Sequence, residues 1–190
     1  LAFFRGLAQG ISEARSVTGY PEWFFGLGQG SILGVPTQLW ILLIAIIVSA
    51  VLLARTTLGR TLYAIGNNKV GARFSGLPVE RATLLIYTFS GLMAGISGVI
   101  FVSRFTTTRS DMGSGLELDA IAAVVLGGTS IFGGKGSIIG TVIGLVMIQL
   151  LKYGMAINGI TNDATIVVIG SVLIFAILVN NLIQRLRKTE

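Results

Sequence analysis

Hydrophobic residues concentrate in five long runs along the chain, and short segments rich in glycine and charged residues separate these runs. The runs are Leu39–Ala54, Thr83–Val102, Leu118–Phe132, Ser137–Leu151 and Ala164–Ile183. Each approaches the length of about 20 apolar residues that a helix needs to cross a bilayer. The pattern therefore predicts an all-α, polytopic transmembrane helical bundle with about five spans. The alternative is a soluble protein with five very apolar core helices.

The polar segment between the first two runs, NNKVGARFSGLPVERA, carries signals for the start and the end of a helix. Asn67 or Asn68 suits the N-cap position, and Lys69–Ser75 is long enough for about two helical turns. Gly76 suits the C′ position that terminates a helix, and Pro78 suits the first position of the next helix. The segment therefore predicts a short helix with a sharp stop, inside a loop at 56–82.

The short helix carries both apolar and basic side chains. The apolar residues are Val70, Phe74 and Leu77, and the basic residues beside them are Lys69, Arg73 and Arg81. A surface helix of this kind either lies on anionic lipid or inserts into the groove of a partner protein. The residues alone leave both interpretations open.

The composition supports a membrane protein that is not an enzyme. Of the 190 residues, 53% are hydrophobic and 12% are charged, against about 25% charged residues in soluble domains. The absence of Cys excludes disulfides and thiolate ligands, and the absence of His removes the commonest general base and metal ligand. We therefore expect no catalytic site, no metal site and no cofactor bound by this chain. The sequence begins with Leu, and we expect it to be the later part of a longer protein.

The charges divide unequally between the two sides of the predicted bundle. If successive connections alternate between the two sides of the membrane, one set of connections holds nine basic and two acidic residues, a net charge of +7. The other set holds five basic and six acidic residues, a net charge of −1. The second set includes Lys152. Because Lys and Arg accumulate in cytoplasmic loops, the 56–82 loop and the C-terminus are predicted to be cytoplasmic. The net charge of +6 is then topological, and no nucleic acid partner is expected.

The segment 5–36 is then expected on the outer side, after a preceding span whose last turn is Leu1–Phe4. It contains an aromatic cluster among several glycines, formed by Tyr20, Trp23, Phe24 and Phe25. We interpret it as a loop or short helix at the lipid boundary, where Trp and Tyr anchor membrane proteins. A direct role in substrate binding is the alternative.

Two of the runs carry small residues at the four-residue spacing that allows close helix contact in lipid. Gly136, Gly140 and Gly144 form two overlapping GxxxG steps, and Gly91 and Gly95 form another. Both helices are therefore predicted to pack inside the bundle.

Two acidic residues, Glu117 and Asp119, open the third run on the predicted outer side. Acidic groups stabilise a helix N-terminus, whereas carboxylates within a membrane often mark a polar pathway. Both interpretations stay open. Arg104 and Arg109 precede these acids and are candidate partners for them.

The glycine-rich stretch GGTSIFGGKGSIIG does not match a phosphate-binding loop. The G-x-x-x-x-G-K-[ST] pattern requires Gly at Thr129 and Ser or Thr at Gly136. We interpret Phe132–Gly136 as a tight cytoplasmic turn whose glycines permit positive φ. Thr129 and Ser130 are expected either to bond carbonyls and neighbouring helices or to lie near a pathway.

Two long motifs carry a specific resemblance. GRTLYAIGNNKVGARFSGLPVERATLLIYTFSGLMAGISGVI and GSGLELDAIAAVVLGGTSIFGGKGSIIGTVIG resemble the ribose-type permease family of bacterial ATP-binding-cassette (ABC) sugar importers. The resemblance covers roughly residue 39 to the C-terminus. It implies one transmembrane permease domain over 1–190, as the C-terminal portion of a longer chain in the inner membrane.

The resemblance also implies site residues and partners. The coupling helix that docks on a cytoplasmic ATPase corresponds to Lys69–Glu80, with Arg73 as an ionic contact and Phe74 and Leu77 as apolar knobs. The matched coupling residues are Lys69, Ala72, Arg73, Phe74, Ser75, Gly76 and Leu77. The second motif implies that Glu117, Asp119, Thr129 and Ser130 lie near the pathway.

Such permeases work with a periplasmic or lipid-anchored sugar-binding protein, a second permease subunit, membrane lipid, and an ATPase that uses ATP and Mg. The resemblance implies import of a monosaccharide or related small sugar by alternating access. The alternatives are an ABC permease for branched-chain amino acids or nucleosides, or a secondary transporter. The residues do not identify the substrate.

Overall fold

The computed structural model describes residues 2–186, and these residues form nine helices and one two-stranded hairpin. The elements are α1 (Ala2–Ser12), α2 (Glu22–Gln29), β1 (Ser31–Ile32), β2 (Val35–Pro36), α3 (Thr37–Arg55), α4 (Thr57–Asn67), α5 (Lys69–Phe74), α6 (Val79–Phe105), α7 (Leu116–Leu126), α8 (Ile138–Ile157) and α9 (Asn162–Leu186). The prediction of an all-α protein is confirmed. The C-terminal tail from residue 187, which the charge pattern assigns to the cytoplasm, lies outside the described residues.

Three of the described helices, α3, α6 and α8, are long and apolar enough to cross a membrane. In α9, the stretch Asp163–Leu178 is a shorter apolar helix. The predicted span Leu118–Phe132 is wrong as a membrane-length helix, because α7 has only 11 residues. At a rise of about 1.5 Å per residue, α7 covers roughly half of the ~30 Å hydrocarbon core.

The end of α7 explains this difference. Gly128 has a φ of +83°, and its N–H donates to the Val125 carbonyl at 2.9 Å. The Thr129 N–H donates to the Val124 carbonyl at 3.1 Å. These two bonds form a Schellman motif, which terminates a helix at a left-handed glycine. The apolar run continues beyond this point, but its glycines stop the helix.

The contacts divide the chain into two compact units. One unit contains α1, α2, the hairpin, α3 and α6 from Glu80 onward, and the other contains α4 from Gly59 onward, α5, α7, α8 and α9. Each unit is described by itself below. The single domain over 1–190 stays a prediction.

The first unit places α2 against the end of α6. The fully buried Ser103 donates its hydroxyl proton to the Phe24 carbonyl at 2.6 Å, and a Cβ at Gly28 would overlap the Ser103–Arg104 backbone. The hydroxyls of Tyr20 and Thr108 form a hydrogen bond of 2.5 Å. The predicted short helix at 5–36 thus forms, and its role as an interfacial anchor stays a prediction. Leu1–Phe4 is not the last turn of a helix, because α1 continues to Ser12, and the earlier span stays a prediction.

The core of the second unit lies where α7, α8 and α9 meet. Its buried residues are Ala122, Ala123, Ile148 and Ile169, and the partly buried Leu126, Leu145, Leu151 and Leu173 pack against them. Two small alanines of α7 let α8 approach closely, which is how helices gain van der Waals contact in lipid. This core fixes α7 in place even though α7 is short.

Candidate functional site

The helix α5 begins with a side-chain cap. The Asn68 side chain accepts a hydrogen bond from the Gly71 N–H at 2.9 Å. An N-cap bond of this kind satisfies one of the N–H groups that the first helical turn leaves without a partner. Of the two asparagines that suit the cap in the sequence, the structure uses Asn68.

A Schellman motif ends α5. Gly76 has a φ of +76°, and its N–H donates to the Arg73 carbonyl at 3.1 Å. The Leu77 N–H donates to the Ala72 carbonyl, also at 3.1 Å. These two bonds place Gly76 at the C′ position. Glycine suits this position because side chains are strained at this φ. Pro78 directly precedes α6, which begins at Val79, so its predicted place as the first helical residue is off by one.

The two caps present an apolar face of α5 to the surroundings. Phe74 is 89% exposed and Val70 is 64% exposed, and residues four apart lie on the same face of a helix. Ala72 is buried, and Leu77 is half-buried. The exposed apolar pair of α5 is therefore Val70 and Phe74, although the resemblance assigns no role to Val70. In the sequence, the i, i+4 spacing of Val70 and Phe74 is the signal that identifies this pair.

The polar side chains of α5 surround this pair. Lys69, Arg73 and Ser75 are all exposed. Ser75 also donates its hydroxyl proton to the Gly71 carbonyl at 2.9 Å, which strengthens the last turn of the helix. The result is a small, rigid, basic and apolar surface of the kind that suits docking to another molecule.

The loop after α7 forms the predicted tight turn. Gly133 and Gly134 have φ values of +93° and +75°, as expected for glycines in a tight turn. The Ser130 N–H donates to the Lys135 carbonyl at 2.9 Å and closes the loop. A Cβ at Gly136 would lie 3.0 Å from the Thr129 side chain. Thr129 and Ser130, two of the four residues that the resemblance places near the pathway, thus belong to this loop, and their pathway role stays a prediction.

Asp119 forms an ion pair between α7 and α8. Its Oδ2 lies 2.6 Å from the Lys152 Nζ, and the two side chains are only 12% and 30% exposed. The sequence suggests Arg104 or Arg109 as the partner of the acids, but Asp119 pairs with Lys152. Removing one member of such a pair leaves a charge without compensation, which costs about 3–5 kcal/mol.

Lys152 is a residue that the charge pattern assigns wrongly. It lies inside α8, five residues before the last helical residue, Ile157, and not in a connection. The sequence does carry a signal for this ion pair. Lys152 is a lone charge in a long apolar helix, and such charges usually pair inside the protein.

Glu117 and the two arginines that the sequence suggested as partners for the acids make other contacts. Glu117 accepts a hydrogen bond from the Gly115 N–H at 3.2 Å, which agrees with a capping role at the start of α7. Arg109 pairs with Asp111 at 3.1 Å, and Arg104 donates to the Gln38 side chain at 3.2 Å. Glu117 and Asp119 are thus two residues apart but make different kinds of contact.

The glycines of α8 lie against the backbone of α7. A Cβ at Gly140 would overlap the Gly127 carbonyl, and a Cβ at Gly144 would overlap the Ala123 carbonyl. In contrast, a Cβ at Gly91 or Gly95 of α6 would meet nothing within 4 Å among the described residues. The packing of α6 through these glycines stays a prediction.

The described part of the chain contains no group of three or more His, Cys, Asp and Glu side chains that could hold a metal ion. The polar groups of these residues include a cross-helix ion pair, helix caps and exposed basic side chains. This chemistry suits docking and packing.

Comparison with known proteins identifies close relatives. The family model described as branched-chain amino acid transport system / permease component matches residues 2–177. The chain is 41% identical over 188 residues to the ribose import permease protein RbsC of Escherichia coli K12, covering 95% of this chain and 58% of the relative. It is 37% identical over 185 residues to the L-arabinose transport system permease protein AraH of the same strain, covering 97% of this chain and 56% of the relative.

A third relative is named for a different compound. The autoinducer 2 import system permease protein LsrD of Photorhabdus temperata is 36% identical over 168 residues, covering 88% of this chain and 50% of the relative. The chain thus spans about half the length of the curated relatives it matches. No solved structure matches it significantly.

Proposed function

The chain belongs to the family of transport-system permease components whose model matches residues 2–177, and we propose that it forms part of the membrane permease of an ATP-driven importer for a monosaccharide or related small sugar. The observation that carries this proposal is the similarity to the ribose import permease along 95% of the chain. The relatives named for L-arabinose and autoinducer 2 import extend the proposed substrate class to small sugar-like compounds.

The α5 surface is the proposed docking site for the partner ATPase. The exposed Phe74 and Val70 are the apolar contacts, and Lys69 and Arg73 are basic contacts at the same surface. The two caps hold this surface rigid, so that little conformational entropy is lost on binding. ATP and Mg belong to the partner, and this chain has no enzymatic role in the proposal.

The proposed orientation in the membrane follows from the distribution of the basic residues. Five of them, Arg55, Arg60, Lys69, Arg73 and Arg81, lie at or between the ends of α3 and α6. By the positive-inside rule, the 56–82 loop and the C-terminus face the cytoplasm of a bacterial inner membrane. A sugar-binding protein then delivers the substrate on the opposite side, and a second permease subunit completes the pathway.

The proposed mechanism is alternating access. ATP binding favours one of two conformations of the assembly. The free energy of this shift equals the difference between the free energies with which ATP binds the two conformations. Movement of the ATPase reaches the membrane through α5. Glu117, Asp119, Thr129 and Ser130 belong to the region around the pathway in this proposal.

Uptake measurements test the proposal. The full-length protein is expressed with its ATPase and binding protein, and uptake of labelled ribose, L-arabinose and leucine is followed in cells. Phe74→Asp is expected to lower sugar uptake by about 5- to 150-fold, the usual range of coupling between sites, because a charge replaces the apolar docking contact. Leu33→Asp, at an apolar residue of the hairpin that is also 89% exposed, tests whether any new charge has this effect. Full uptake by the Phe74 variant would contradict the docking role.

A second candidate is the import of branched-chain amino acids, and the description of the matching family favours it. Uptake of leucine but of neither sugar would select this candidate. Uptake that follows a proton gradient and persists after ATP depletion would instead indicate a secondary transporter.

A further inference from the structure

The α4–α5 segment belongs to a different unit from its neighbours in the sequence. Along the chain it lies between α3 and α6, but its contacts group it with α7, α8 and α9. A force applied to α5 therefore has a route through packed atoms to helices that follow much later in the sequence.

The route begins with a contact between two backbones. At the end of α4, the Gly66 carbonyl lies 2.6 Å from where a Cβ of Gly133 would be. A Cβ at Gly66 would in turn overlap the Gly134 N–H group. Backbone contacts of this kind have no flexible side chain between them, so a displacement on one side passes directly to the other.

A hydrogen bond supports this contact one helical turn earlier. Tyr63 of α4 donates its hydroxyl proton to the Gly136 carbonyl at 2.9 Å. The next residue, Ser137, is the N-cap of α8 and accepts a hydrogen bond from the Gly140 N–H at 3.2 Å. The bond from Tyr63 thus ends next to the residue that starts α8.

The far side of this contact is itself stiff. Gly140 and Gly144 of α8 pack on the backbone of α7, and the ion pair of Asp119 and Lys152 joins the two helices near their other ends. The α7–α8 pair is therefore able to respond as one body when its connecting turn moves.

We propose that this α4–turn contact, formed by Tyr63 and Gly66 on one side and Gly133, Gly134 and Gly136 on the other, transmits movement of α5 to the α7–α8 pair during transport. Tyr63 and Gly66 are positioning residues for this step, and neither touches the substrate or ATP. The inference rests on the proposed ATPase docking at α5. It adds that α5 drives α7 and α8 rather than only the helices adjacent to it in sequence.

Engineered cysteines test whether the contact moves as one piece. The 190 residues of this chain contain no Cys, and any Cys elsewhere in the full-length protein is first replaced by Ser. A Cβ at Gly134 would lie 3.3 Å from the Asn67 Cβ, close to the Cβ separation of about 3.5–4.5 Å in disulfides. A Cys at Gly134, where φ is +75°, is strained and is expected to lower the starting uptake. Uptake by the same full-length Asn67→Cys/Gly134→Cys protein is therefore compared before and after oxidation, and oxidation is expected to cause no further loss. Loss of uptake on oxidation, with recovery on reduction, would overturn the inference, because the two sides would then have to separate.

Opening the contact is the complementary test. Gly66→Ala forces a Cβ into the turn and is expected to lower uptake by about 5- to 150-fold, while the protein remains in the membrane and still copurifies with the ATPase. Tyr63→Phe removes only the hydrogen bond and is expected to cause a smaller loss of uptake in the same direction. Gly170→Ala is the matched control, because a Cβ at this helical glycine of α9 meets nothing within 4 Å among the described residues.

The outcomes separate this inference from the proposed function. Wild-type protein without ATP-dependent sugar uptake would overturn the proposed function. Normal wild-type uptake together with normal uptake by the Gly66 variant would overturn only the role of the contact. If Gly66→Ala does not reach the membrane, the decision falls to Tyr63→Phe and the cysteine pair. Either normal uptake by Tyr63→Phe or loss of uptake on oxidation then overturns the inference.

Discussion

Two helices of this protein carry the same GxxxG spacing but differ in what they contact. Gly140 and Gly144 of α8 lie directly against the α7 backbone, whereas Gly91 and Gly95 of α6 have open space around them among the described residues. The spacing creates a flat surface that permits close approach, but it does not specify which element approaches. Three experiments probe this difference.

The largest effect is expected at the ion pair that accompanies the α8 contact. Lys152→Ala removes the partner of the Asp119 carboxylate, whose side chain is only 12% exposed in the wild-type protein. We expect a loss of about 3–5 kcal/mol in the free energy of unfolding, measured by denaturation of the full-length protein in mixed micelles. The double variant Asp119→Leu/Lys152→Met is expected to recover most of this loss, because it removes both charges. A double variant as unstable as the single one would show that the pair does not act through its charge.

An intermediate effect is expected at the α8 glycines. Gly144→Ala places a methyl group where the Ala123 carbonyl lies, and overpacking of this kind costs about 1–3 kcal/mol. The same denaturation measurement checks this value. An unchanged stability would mean that α7 moves away from α8 at little cost.

The smallest effect on stability is expected at the α6 glycines. Gly95→Ala meets no atom within 4 Å among the described residues, and Ala favours a helix over Gly by up to about 1 kcal/mol. We therefore expect unchanged or slightly higher stability for the isolated subunit. If α6 packs against another subunit through this face, the same variant lowers the assembled fraction in cross-linking of native membranes. A large loss of stability without a change in assembly would contradict both expectations.

Much of the local structure was predictable from the sequence. Asn68 and Gly76 bracket α5 because a side-chain acceptor and a left-handed glycine act within a few residues of each other. The glycines of the turn at Phe132–Gly136 adopt positive φ for the same local reason. The helices α3, α6 and α8 follow from the length of their apolar runs.

Two predictions from the sequence are wrong, one because glycines interrupt an apolar run and one because a distant partner was needed. The apolar run Leu118–Phe132 predicts a long helix, but Gly127 and Gly128 end it early by a Schellman motif. Lys152 looked like a loop residue, because the predicted span ended before it. Its partner Asp119 is 33 residues away in the sequence, and no periodic pattern connects the two.

The sequence by itself determined where α5 begins and ends, and which apolar and basic residues this short helix carries. The start and the end of this helix depend on neighbours within a few residues, through backbone hydrogen bonds and φ preferences. Only the tertiary structure decided that α7 is the partner of the α8 glycines, that Lys152 pairs with Asp119, and that α4 rests on the α7–α8 turn. These contacts depend on atoms far apart in the chain, and close packing of backbones selects them.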